Sequence, residues 1–192
     1  MKRLLIIDPQ VSFCEPGASL LVDGAQLDMI RLAYLVREHS NFFSSIDISL
    51  DCHQRDDIAH PMFWKDINGK NPAFFTQITV SQVENGEWLP VNNSDLSETI
   101  KYLKFLERSG AFKHTIWPEH CIAGTDDVKI VSILRDALFQ WSNKTGISFH
   151  THIKGMNRMS EHYGIFQAEA EDAPFNHRLI HSLFSGNSEV FV

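Results

Sequence analysis

Apolar and polar positions along the chain alternate between two periods. Leu4-Leu5-Ile6-Ile7 is an unbroken apolar run ended by Asp8-Pro9, as expected for a short strand buried on both faces of a parallel sheet. Residues 25–38 set Leu27, Ile30 and Tyr34 at helical spacing, and Ile46 to Leu50 then reads as a strand closing on Asp51. A β-α-β unit is predicted. Residues 61–93 mix Pro, Gly, Asn and aromatic residues without a sustained period, so they are expected to leave the core as an insertion that caps a site or contacts a neighbour. Ser94 is placed to cap a helix carrying Leu96, Ile100, Leu103 and Leu106, and Gly110 to stop it. A brief strand to Ile116 follows. Thr125 or Asp126 should then cap a second helix, with Val131, Leu134, Leu138 and Trp141 as its core stripe. Residues 148–153 return as a strand. Pro174 opens a last helix with Leu179, Ile180 and Leu183, Gly186 closes it, and residues 189–192 begin another strand.

This order predicts an α/β fold: three layers, α/β/α, around a central parallel sheet, with ligands outside the C-terminal strand ends. Asp8, Asp51 and Lys154 all fall at such ends. The 192 residues are expected to form one domain, 1–192, with 61–93 as an insertion near the site. Composition narrows the partners. Seventeen basic against 24 acidic residues give a net charge of -7 without a basic block, which argues against nucleic acid. No apolar run approaches a membrane span, so no membrane partner and a cytoplasmic location are expected. Cys14, Cys52 and Cys121 are an odd, widely spaced set, read as reduced thiols.

Asp51-Cys52-His53 leaves a predicted strand so that alternate residues can turn a carboxylate and an imidazole toward one ion. His120, in Trp117-Pro118-Glu119-His120-Cys121, supplies a second imidazole, and His60 a further donor. One Asp and two His suit a single divalent ion, zinc foremost, with iron and manganese as alternatives. Ten histidines also supply chance pairs, and on spacing alone a structural role for them stays open. Cys52 and Cys121 rank below the three, since neighbours on a strand point to opposite faces.

Read together, residues 4–13 (LLIIDPQVSF), Asp51 to His53, Trp117 to Thr125 (WPEHCIAGT) and Lys154-Gly155 resemble, in order, the nicotinamidase and isochorismatase-like cysteine hydrolases. The resemblance implies the three-layer fold, hydrolysis of nicotinamide to nicotinate and ammonia through a thioester, and a small-molecule amide substrate. It assigns Asp8 and Lys154 as catalytic, Asp51, His53 and His120 as metal ligands, and Phe13, Trp117 and Tyr163 as substrate-binding, with Phe13 and Trp117 enclosing the pyridine ring. Members of the family commonly form homo-oligomers.

The same resemblance puts the nucleophilic cysteine after the next strand, in a turn opening a helix. None of Cys14, Cys52 and Cys121 holds that position, so the expectation is that residues 1–192 lack this nucleophile, are missing the C-terminal part of the fold, and have little amidase turnover alone. Two alternatives stand beside the nicotinamidase reading: a related hydrolase of another small amide or carbamoyl substrate, its pocket reshaped by the aromatic insertion, and a non-catalytic metal or small-molecule binding protein.

Overall fold

The computed structural model describes residues 1–192. Its centre is a four-stranded sheet of β1 (Lys2–Ile6), β2 (Ser45–Asp51), β5 (His150–Lys154) and β6 (Glu189–Phe191), in the order β5-β2-β1-β6 and parallel throughout. Between β1 and β2 run the single turn α1 (Val11–Cys14) and the helix α2 (Ala25–Glu38). Between β2 and β5 come β3 (Trp64–Lys65), α3 (Val80–Glu84), β4 (Leu89–Pro90), α4 (Leu96–Ser109) and α5 (Ser132–Thr145), and α6 (His177–Phe184) precedes β6. The expected central parallel sheet with helices on both faces is what the chain builds.

One face of the sheet is apolar. Leu4, Ile6, Ile46 and Ile48 pack against Ala33 and Val36 of α2 and Leu134, Ala137, Leu138 and Trp141 of α5, all buried. The stripe read for α5 is therefore the core stripe. In α2 the inward residues are Ala33 and Val36, whereas Leu27, Ile30 and Tyr34, at the spacing that announced the helix, are exposed. Met29 and Leu32 of α2 pack against the same core, partly buried. The opposite face carries Leu5 against Leu179 and Leu183 of α6.

Residues 61–93 are more ordered than a loose excursion. Phe63, Trp64, Ile78, Val80 and Val83 form a second core with Tyr102, Leu103 and Leu106 of α4 and with Ile116. Thr79 and Gln82 close a reciprocal capping box at α3. Several end signals act one step from where the sequence put them. The cap of α4 is Asp95, after a 3-10 turn over Asn93–Asp95 held by the Asn92 side chain, and Gly110 ends the helix with φ 66°. Thr125 caps a separate 3-10 turn, Asp126–Val128, and α5 starts only after Val131. Asn176, not Pro174, caps α6, and Ser185 closes it ahead of Gly186. The stretch before Ile116 forms a single bridge, Gln77 to Thr115, in place of a strand. No helix is long and apolar enough to cross a membrane.

Candidate functional site

The site forms where β1, β2 and β5 end side by side. Register pairs Asp51 with Lys154, and both side chains rise on the same face. Lys154 Nζ lies 3.1 Å from Asp8 Oδ2 and 3.1 Å from Asp51 Oδ1, with the lysine side chain only 4% exposed. Asp8 has left β1 with φ 45°, a left-handed conformation that a short Asp side chain tolerates. Its backbone N–H donates to Ser49 Oγ, and that hydroxyl donates back to Asp8 Oδ1 at 2.5 Å, locking the turn. Gln10 holds the end of β2: its amide donates to Asp51 O at 2.7 Å and accepts from Asp51 N at 2.7 Å.

His53 follows Asp51 by two residues and stays beside it because residues 120–123 run as a parallel neighbour. His53 N donates to Cys121 O, Ala123 N to His53 O, and Cys121 N to Ser12 Oγ. This lacing brings His120 in. His53 Nε2 sits 3.0 Å and His120 Nε2 3.6 Å from Asp51 Oδ2, and one ligand atom from each of the three residues lies within 4.8 Å of the others. All three are buried.

Three observations fit this cluster to a divalent ion. His53 Nδ1 meets Asp57 Oδ2 at 3.1 Å and His120 Nδ1 meets the Pro118 carbonyl at 2.8 Å, so each ring can donate outward and turn its Nε2 lone pair inward. In that tautomer two lone pairs and a carboxylate face one another, an arrangement a cation completes; without one, the Nε2 atoms can donate to Asp51 instead. Asp51 Oδ1 makes no hydrogen bond although it is buried; the Lys154 ammonium is close to it but off the hydrogen-bond direction, so the contact is an ion pair. Electrostatics agree. Burial alone would raise Asp51, but hydrogen bonds from His120 and His53 and the Lys154 charge override it and hold the carboxyl far below the usual range. Burial opposes charge on His53 too, yet Asp51 and Asp57 carry it up to about 10, which marks a place built for positive charge. Asp57 was not singled out in the sequence, although a carboxylate four residues after a ligand histidine is a readable cue.

His60 is buried beside the group but behind it: its Nε2 points at His120 Nδ1 at 3.2 Å, and it is not one of the converging donors. Burial and the neighbouring imidazoles push it down to about 3. Phe13 is half-buried with its ring 5.6 Å from His120. Trp117 stands edge-on to Phe75 of the insertion at 5.9 Å, and Tyr163 stacks on Phe112 at 4.5 Å while its hydroxyl meets Trp117. Cys14 and Cys121 are buried and Cys52 half-buried, and burial pushes all three thiols upward.

Two further residues belong to the neighbourhood. Glu161 is buried, with Oε1 unpartnered, and burial with the Asp57 charge pushes it up to about 8. Gly155 has φ 81°, and a Cβ there would stand 2.7 Å from Asp51 Oδ1 and 3.0 Å from His53 Cε1. A cavity of about 430 Å³ opens on the outer side, lined by Tyr102, Asn157, Ser160 and His162 among others. It reaches the polar cluster through Lys154, and the three converging donors lie outside its lining.

No family model matches the chain, and no curated protein does. Solved structures do. The yeast nicotinamidase Pnc1p bound to the inhibitor nicotinaldehyde aligns with a TM-score of 0.64 at 16% identity, over 100% of this chain and 76% of that one. The Acinetobacter baumanii nicotinamidase pyrazinamidase gives 0.60 at 16% identity, over 98% and 69%. The pyrazinamidase of Pyrococcus horikoshii in complex with zinc gives 0.52 at 15%, over 98% and 67%. The chain has the isochorismatase-like fold of these nicotinamidases and pyrazinamidases.

Proposed function

We propose that the protein is a metal-containing amidohydrolase of the nicotinamidase type, acting on a small aromatic amide. The observation that carries this reading is one buried ammonium, Lys154, shared between a carboxylate of the ion cluster, Asp51, and a second carboxylate outside it, Asp8. Such a lysine does two things. It holds the Asp8 carboxylate in position to take a proton, and it presents positive charge that favours a thiolate close by.

The chemistry follows. Thiol attack on the amide carbonyl forms the C–S bond as Asp8 accepts the thiol proton. Collapse breaks the C–N bond and ammonia leaves with that proton. Water then cleaves the thioester to the acid, with Asp8 again moving the proton. Phe13, Trp117 and Tyr163 serve as the aromatic walls for the substrate ring. A divalent ion held by Asp51, His53 and His120, with zinc favoured by its presence in the Pyrococcus relative, would supply Lewis acidity that orients the substrate. The thiol is taken to be none of Cys14, Cys52 and Cys121, whose burial disfavours the thiolate.

Ammonia release from nicotinamide by the purified protein tests the reading. Asp8→Asn should lower kcat/KM at least a hundredfold with little change in fold; turnover unchanged in that variant would overturn it. A second reading, hydrolysis of a different small amide, has one observation in its favour: Phe75 of the insertion lies against Trp117 and so reshapes an aromatic wall. Comparing nicotinamide with non-aromatic amides in Phe75→Ala separates the two.

A further inference from the structure

The sheet ends at β5, and the chain leaving that strand encloses, with α4, the cavity of about 430 Å³ beside Lys154. Pockets of roughly 300–1,000 Å³ hold small molecules. The body of this one is apolar, with Tyr102 and Phe105 of α4 and Met156 and Met159 of the departing chain in its lining. One stretch of wall is polar. Ser160 and His162 stand there, two residues apart, and each carries a hydrogen-bond donor that the protein leaves unused. Gly155 N–H donates to His162 Nδ1 at 3.4 Å, which puts the ring proton on Nε2, and that atom is buried without a partner. Ser160 is 2% exposed; its hydroxyl accepts from Asn157 Nδ2 at 3.1 Å, and its own proton finds no acceptor. Burial, and then the Lys154 charge, push His162 below the usual histidine value, in keeping with a neutral ring.

From this arrangement we infer a second small-molecule site, separate from the aromatic walls, for a neutral single-ring compound that carries a carbonyl group. Two unused donors on one stretch of wall call for a shared acceptor, because a buried donor left without a partner is costly. The apolar body suits the ring, and the two flexible thioethers can adapt to its outline. Charge at the mouth argues against an acid. Glu98, Glu171 and Asp172 are exposed there against Lys101, although Glu171 is also paired with Arg108 at 2.9 Å. The Lys154 ammonium is already committed to Asp8 and Asp51. A carboxylate would therefore meet like charge on entry without a free cation inside, whereas a ketone or carboxamide would not. Phe13 and Trp117 are absent from this lining, so the two ligand positions do not coincide. An occupant would hold the segment from Met156 to His162 against α4, next to Lys154 and Gly155, and so would steady the lysine from the side away from the ion cluster.

The test is titration of the protein with acetophenone, followed by amide shifts in two-dimensional NMR. This probe has a ring and a carbonyl but no C–N bond for an amidase to cut, so the outcome does not depend on the amidohydrolase reading. Shifts should gather on residues 101–105 and 153–162 and saturate at one molecule per chain. His162→Ala and Ser160→Ala should each weaken binding at least fivefold. Benzoate should bind at least tenfold more weakly than acetophenone, and Trp117→Ala should leave acetophenone affinity within twofold. No saturable shift, shifts centred on Phe13 and Trp117 instead, benzoate binding as tightly as acetophenone, or affinity within twofold in His162→Ala would each overturn the site. Should the buried variants fail to fold, Met156→Arg decides. Met156 is 54% exposed, so a long charged side chain is tolerated there, and it should abolish binding by entering the cavity. Affinity within twofold of the unaltered chain in that variant discards the proposal.

Discussion

The two faces of β2 are built from alternate residues of one heptapeptide, Ser45–Asp51, and behave as different materials. Ile46 and Ile48 are fully buried against α2 and α5 in a dry core, where shape is what matters. Asp47 and Ser49 are equally buried, and Asp51 nearly so, but on a face that joins imidazoles, an ammonium and a second carboxylate. The difference teaches that burial on the α6 side is tolerated because each carboxylate there has a partner in reach, His152 and Ser182 at Asp47 and Lys154 at Asp51. The apolar face contributes stability; the polar face uses some of it to hold groups in place.

Breaking the polar face at its pivot should have the largest effect. Lys154→Met leaves Asp8 and Asp51 facing each other without a cation, and urea denaturation of chelator-treated protein should show a loss of about 3–5 kcal/mol. On the apolar face, Ile48→Ala should cost about 2–5 kcal/mol by the same measurement while metal content is unchanged. The contrast sharpens if the first variant also loses metal and the second does not. Asp57→Asn removes the charged partner of His53 Nδ1 and should weaken metal binding by about 10–100-fold in competition with a chelator, at small cost to the fold. Glu161 is read in a different way, as a pH slope. Its ordinary value is 4.5 and burial carries it up to about 8 in the folded chain. Between those limits the unfolded chain gives up a proton that the folded chain keeps, so rising pH removes stability by at most about 1.4 kcal/mol per pH unit, with no slope from this group outside the window. Glu161→Gln should flatten that slope, and urea midpoints of metal-free protein at pH 5 and pH 8 would show it.

Sequence legibility divides along the same line. Strands near Leu4, Ile46 and residue 150 could be read because apolar runs closed by Asp or Lys carry their own boundaries, and Asp8, Asp51, His53, His120 and Lys154 could be read because their motifs kept one order. The structure brings these five residues together. Partners fixed by distant chain stayed hidden. Alternation in Ser45–Asp51 is equally the pattern of a strand with a solvated face, and Asp47 is covered through Ser182, 135 residues further on. Leu27, Ile30 and Tyr34 announced a helix correctly but named its outer side, because helical period locates a stripe without saying what it meets. His60 was weighed as a ligand since composition cannot tell an imidazole that faces an ion from one that backs another imidazole. The ordered core within residues 61–93 rests on pairings with α4, which no local period discloses.

Gly155 shows how much can depend on an atom that is missing. Any other amino acid, large or small, would bring the same first carbon to within 2.7 Å of the Asp51 carboxylate, so side-chain size offers no remedy at this position. A substitution just past the end of β5 would therefore press directly on a carboxylate and an imidazole of the centre, with no rotamer able to relieve it.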